Sequence, residues 1–209
     1  MALSRKHPAT KETVGAQYIC FNVPDEDTGE WTTTFESTVY VFPTVTQVST
    51  EEASEGYDVW ASGASYESDS VVSAVDISET NVAFDDEILE KMKGNVVEDG
   101  VVLSGKTTVR PWFAYGIPVI KHDGSMDLRW YPKCKLTENT DATATSTDSH
   151  SDQTDDMTIR AYSFDEDGNK CVKAFTANNA MKNMTQDAFF AAPLLTVAAV
   201  KAAVPSSGG

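Results

Sequence analysis

Cysteine, histidine and basic residues are scarce in this chain, and each shortage removes a class of function. The three cysteines, Cys20, Cys134 and Cys171, stand far apart with no Cys-x-x-Cys pair, so neither a disulfide framework nor a zinc site is expected. Such a set suits a reducing compartment. The three histidines, His7, His122 and His150, fall in a basic lead-in, a turn and a polar tract. No Gly-x-Ser-x-Gly elbow brings a nucleophile to any of them, and His122 beside Asp123 reads as turn polarity. There is no P-loop and no Gly-x-Gly-x-x-Gly opening a helix. Lys and Arg number 16 against 32 Asp and Glu, a formal charge of −16 that repels nucleic acid and anionic membrane surfaces. Long apolar runs are missing too. The most apolar stretch, AFFAAPLLTVAAV, covers residues 188–200 and is interrupted by Pro193, short of the roughly 20 residues a membrane span needs. It reads as a docked terminal arm or a buried helix. The opening MALSRKHPATKET is polar and basic without an apolar core, so no secretory signal is expected.

What is present suffices for a folded domain, since 209 residues with 41% hydrophobic and 10% aromatic content can bury a sizeable core. The pattern is dominated by strands. AQYICFNV (16–23) alternates and is followed by the turn chemistry of PDEDTGE; WTTTFESTVYVF (31–42) is rich in Thr, Val and aromatics. YDVWASGASYES is ambiguous, whereas SVVSAVDISE (70–79) sets Val71, Val75 and Ile77 on one face and Val72, Ala74 and Asp76 on the other. One helix is predicted over about residues 85–93. Phe84, Ile88 and Met92 recur at helical spacing, Asp85, Asp86 and Glu87 suit the positive N-terminal end of the dipole, and Lys91 and Lys93 precede a stop at Gly94. Beyond it GVVLSGKTTVR, PWFAYGIPVIK and SMDLRWYPKCKL read as strands, the last two joined by a turn at HDG (122–124). In MDLRWY, Met126, Leu128 and Trp130 oppose Asp127, Arg129 and Tyr131, as in a strand with one buried face. MTIRAYSF and KCVKAF flank DEDGN and predict a hairpin with Asp-Gly at its tip.

No catalytic, cofactor-binding or metal-binding residues are assigned. In DEDGNK, Asp165 and Asp167 suit the first positions of a calcium loop, but Gly168 falls at the fourth place instead of the sixth and Thr176 stands where a bidentate Glu is needed. Of the four tryptophans, Trp112 and Trp130 lie in apolar surroundings and read as core, leaving Trp31 and Trp60 as candidates for an exposed platform. A twenty-residue tract, TENTDATATSTDSHSDQTDD (137–156), separates two of the strands and holds no aliphatic residue larger than Ala, no aromatic, no Lys and no Arg. Connections this long are uncommon in compact domains and point to function or disorder.

The order of elements, with VVSAVDIS, the helix FDDEILEKMKG, PWFAYGIPVIKHDGSMDLRWYPKCKL, a polar connection and TIRAYSFDEDGNKCVKAF, resembles the major tail protein family of long-tailed (siphophage-type) bacteriophages. Phe113, Ala114, Gly116, Gly124, Trp130, Tyr131 and Lys133 occupy the places of that family's hairpin signature. The similarity extends less clearly upstream to about Thr13 and fades after Phe175; the long acidic tract and the apolar C-terminal segment depart from the pattern. The resemblance implies a mainly β fold, a β-sandwich or barrel-like tail tube subunit with one short flanking helix, forming hexameric rings that stack into a tube. It further implies a virion tail component assembled in the bacterial host cytoplasm, with no membrane partner. Its partners would be itself, the tape measure protein, the tail terminator and distal tail or baseplate proteins, with DNA passing unbound. A single domain over 13–180 is expected, with a polar basic arm at 1–12 and a C-terminal arm at 181–209. Within the acidic tract Glu138, Asp141, Asp148, Asp152, Asp155 and Asp156 are the candidate subunit contacts, to meet basic residues such as Arg5, Lys6 and Lys11. A non-enzymatic β-sandwich binding module or adhesin using Trp31 or Trp60 is the alternative, and an enzyme is not expected.

Overall fold

A computed structural model describes residues 7–61, 64–104, 109–140 and 154–206, with the backbone alone at 55, 57–61 and 64–70. In chain order the elements are β1 (Lys11–Val14), β2 (Gln17–Phe21), β3 (Tyr40–Phe42), β4 (Val45–Ala61), β5 (Ala64–Asn81), α1 (Asp86–Lys93), β6 (Val97–Glu98), β7 (Val101–Val102), β8 (Phe113–Lys121), β9 (Met126–Thr140), β10 (Asp155–Ala161), β11 (Val172–Phe175), α2 (Gln186–Phe190) and α3 (Val197–Ala202). The protein is mainly β. Nine strands form one antiparallel sheet in the order β3-β2-β8-β9-β10-β5-β4, with β1 continuing the β2 side of β8 and β11 continuing the β10 side of β9. β6 and β7 make a separate small ribbon. The sheet curls, because β1 and β4, far apart in strand order, come together.

Both faces of the sheet are covered. On the concave face Ile19, Phe21, Val75, Ile77, Phe113, Tyr115, Ile117, Tyr131, Leu136 and Ile159 pack with Ile88 and Met92 of α1. On the convex face Tyr18, Cys20, Ala114, Leu128 and Trp130 pack with Met184, Phe189, Phe190 and Val200 from the C-terminal segment. β9 is therefore buried on two sides, not one as its alternation suggests: Leu128 and Trp130 serve one cluster and Tyr131 the other. The apolar C-terminal run docks as expected. Its Phe190 ring stacks on Tyr18 with centroids 4.0 Å apart, and Trp130 Nε1 donates to the Phe189 carbonyl at 3.0 Å.

Local signals account for several of these elements. Asp85 caps α1 by accepting from Ile88 N at 3.0 Å, and Gly94 ends it in the left-handed region at φ 85°. The β8–β9 turn places Gly124 at φ 77°, and the Asp123 carboxylate accepts from Ser125 N and Oγ at 2.9 and 2.6 Å. Gly116 is demanded by packing: a Cβ there would meet the Phe190 ring at 2.8 Å and Trp130 at 3.0 Å.

Four further expectations are corrected. The run 31–42 is strand only at Tyr40–Phe42; before it the pairing shrinks to a single bridge, Asn22↔Phe35, flanked by Val23 N to Thr34 O and Glu36 N to Phe21 O, both 2.9 Å, while the Asn22 side-chain amide donates to the carbonyls of Thr32 and Thr34 at 2.7 and 2.8 Å. MTIRAYSF and KCVKAF do not pair with each other. β10 and β11 follow one another along the same side of β9, β10 ending at Ala161↔Cys134 and β11 starting at Val172↔Trp130. The DEDGN loop between them closes on itself through Phe164 N to Asn169 O, 2.9 Å, and through the Asp165 carboxylate, which accepts from Asn169 N at 2.7 Å. The helix at 86–93 is accompanied by α2 and α3, of 5 and 6 residues, too short for helical periodicity to register. Each is opened by a threonine cap, Thr185 and Thr196. Lastly, Trp130 is fully buried but Trp112 is half-exposed.

Candidate assembly surface

The sheet's most unusual feature is the β4–β5 hairpin, whose strands run 17 and 18 residues. From Val45↔Asn81 to Glu52↔Val75 its β5 strand is also paired with β10, which ends at Ala161↔Val75. Beyond, from Ala53↔Ala74 through Ser54↔Val72 to Ala61↔Ala64, the two strands pair only with each other among the described residues. That outer ribbon projects roughly 25 Å at the rise of an antiparallel strand. Isolated two-stranded ribbons are marginally stable in water, and among the described residues no third strand pairs with this one. Among the described residues β4 is also an open edge, with Glu51 and Glu52 exposed along it.

The acidic tract proves shorter than the composition suggests. β9 continues through Thr137–Thr140 and β10 begins at Asp155, so both ends of the tract lie in the sheet, the β-branched threonines extending the ladder. Glu138 stands opposite Thr158, Asp155 opposite Asn81, and Asp156 opposite both Thr80 and Thr140. The Asp156 carboxylate accepts from Thr80 Oγ1 at 2.6 Å. The structure thus gathers Glu138, Asp155 and Asp156 at one end of the β9–β10–β5 ladder, within strands β9 and β10. Asp141, Asp148 and Asp152 lie outside the described residues, as do Arg5 and Lys6. Lys11 sits in β1 opposite Lys121, and no ion pair joins it to the three described acids.

Two constellations were not anticipated. Inside the concave face Glu79 is 2% exposed, with no cation beside it among the described residues. Tyr115 OH donates to Glu79 Oε2 at 2.6 Å, Asn81 Nδ2 donates to Oε1 at 3.3 Å, and Gln17 Nε2 donates to Asn81 Oδ1 at 2.7 Å. The other end of the Gln17 amide lies 3.0 and 3.1 Å from the two carboxyl oxygens. An amide oxygen at that place is matched by a proton on Glu79, and an amide nitrogen by the carboxylate. Burial pushes the Glu79 pKa from 4.5 up to about 7 against the opposing pull of the Tyr115 and Asn81 hydrogen bonds, and it drives the Tyr115 hydroxyl well above 10. This cluster joins β2, β5 and β8 across the curl of the sheet. Its position was legible in principle, since Glu79 continues the face of Val75 and Ile77.

On the convex face, Lys133 and Lys135 alternate with the buried Cys134 and Leu136 and point outward among aromatic rings. The Lys133 ammonium lies 5.3 Å from the ring centroids of both Trp31 and Trp112, and Lys135 lies 3.9 Å above Trp112. Tyr162 meets Trp112 edge-on at 5.5 Å, and Trp31 Nε1 donates to the Pro132 carbonyl at 3.3 Å. The apolar neighbours of Trp112 in sequence suggest core; the two lysines that hold it at the surface come from β9.

His122 is exposed, with Nδ1 3.8 Å from Glu12, and no nucleophile accompanies it in that contact. Among the described residues no group of three or more His, Cys, Asp or Glu could hold a metal ion, and no helix is long and apolar enough to cross a membrane. No protein-family model and no curated protein matches the chain.

Proposed function

We propose that this protein is a structural, non-enzymatic subunit of a phage tail tube, assembling into stacked rings in the virion tail. The observation that carries the reading is the β4–β5 hairpin, whose outer half extends beyond the sheet and is paired only with itself among the described residues. A ribbon that long makes physical sense when a neighbouring copy covers it. The open β4 edge supplies a second place for a neighbour to pair, turning an aggregation hazard into an assembly device. The net charge of −16 suits a conduit through which DNA passes without adhering, because adhesion requires cations that release the polymer's counterions. Rings of six copies, tape measure, terminator and distal tail proteins as partners, and assembly in the host cytoplasm all follow from the same reading.

Electron microscopy of purified protein, alone and mixed with the products of neighbouring tail genes, tests it. Rings or tubes are the expected result. A species that stays monomeric under all of these conditions overturns it.

A further inference from the structure

Within a single copy the Lys133–Lys135 surface meets aromatic rings but, among the described residues, no acid. In a chain with twice as many acids as bases, two lysines two residues apart on one strand have no carboxylate partner among the described residues. Their contacts are instead the faces of Trp31 and Trp112. Burial and the neighbouring Lys133 charge both lower the Lys135 pKa, so the pair sits together at an electrostatic cost that the ring faces offset only in part and no carboxylate among the described residues offsets. Arg110 stands nearby in chain and space, its guanidinium donating to the Leu136 carbonyl at 2.6 Å. Aromatic faces hold the ammonium groups in place and exclude water from one side, which strengthens their attraction for an anion arriving from the other.

We propose that this surface receives the acidic Thr/Ser segment between β9 and β10 of a second copy of this chain. The inference rests on the self-assembly proposed above. Charge complementarity selects the occupant: residues 137–156 carry six carboxylates and no Lys or Arg. Asp141, Asp148 and Asp152 of that segment are the partners for Lys133 and Lys135. The partner copy therefore completes a site that one copy leaves half-built, and the contact is heterologous, joining different parts of two identical subunits as ring closure requires.

The test uses full-length protein, half of it isotope-labelled, treated with a carbodiimide that joins an ammonium to a carboxyl without a spacer. Expected are cross-linked peptides of mixed isotope that join Lys133 or Lys135 to Asp141, Asp148 or Asp152, with yields falling as salt rises. Association followed by sedimentation should weaken about tenfold in Lys133→Ala/Lys135→Ala, and about equally in Asp141→Asn/Asp148→Asn/Asp152→Asn, with no further loss on combining them. If the lysine variants lose their circular dichroism, the cross-links on the unaltered chain decide alone. Cross-links of a single isotope, which mean that the segment folds back on its own copy, overturn the inference. So do cross-links from these lysines to other acids, their absence, or single-stranded DNA binding that is lost in Trp112→Ala. Rings or tubes formed without these cross-links overturn the inference and leave the tail tube reading standing; the cross-links without rings or tubes do the reverse.

Discussion

Glu79 inside the curl of the sheet and Lys133 with Lys135 outside it pose the same problem, an ionisable group without an opposite charge among the described residues, and the protein handles them differently. The interior surrounds the carboxyl with Tyr115, Asn81 and Gln17 and favours its neutral form. The exterior keeps its ammonium groups half in water and leans them on tryptophan faces. An interior site cannot await a partner, so its polar groups must be satisfied within the fold. A surface site can remain charged at small cost until a partner arrives.

Removing the Glu79 side chain should have the largest effect. Glu79→Ala leaves Tyr115 OH, Gln17 and Asn81 buried around a void, and urea denaturation at pH 6 should register a loss of about 4 kcal/mol. Next comes the pH dependence. With the folded pKa raised from 4.5 to about 7, the unfolded chain ionises first as pH rises. The contribution of this group is fully present below about pH 4.5 and is lost as pH passes about 7, amounting to about 3 kcal/mol. Glu79→Gln should abolish that slope, seen as the difference between the two proteins' stability curves from pH 4 to 8, which cancels the self-repulsion of the other acids. Parallel curves would break the comparison. Tyr115→Phe should cost about 1–2 kcal/mol and raise the Glu79 pKa further, as its strongest donor is gone; carbon NMR of the carboxyl checks this. Smallest of all, Lys133→Ala and Lys135→Ala should each shift the stability of the unassembled subunit by no more than about 0.5 kcal/mol in the same urea titration. A larger loss would make these lysines part of the fold and erase the contrast.

Several features were legible because their causes are local. The helix at 86–93 announces its ends through Asp85 and Gly94, and the HDG turn fixes the β8–β9 hairpin. Glu79 was legible too, as an acid in the register of Val75 and Ile77, but an acid on an apolar face signals nothing until the facing strands are known. The acidic tract misled at its ends, where the threonines join the ladder and leave only the centre of the tract between the strands. Trp112 misled because an apolar stretch of sequence says nothing about which strand lies beside it.

By itself the sequence determined the β-rich character, the position of α1, the principal hairpin, the excess of acid and the lack of a recognisable catalytic motif. All of these follow from spacing and composition within a few residues. The tertiary structure decided what depends on distant pairings. It set β10 and β11 end to end along β9, pressed Phe190 against Gly116, enclosed Glu79 beneath Tyr115, and brought Trp31 and Trp112 around Lys133. Each joins segments far apart in the chain, and strand order and sheet curl, which local preferences do not specify, bring them together.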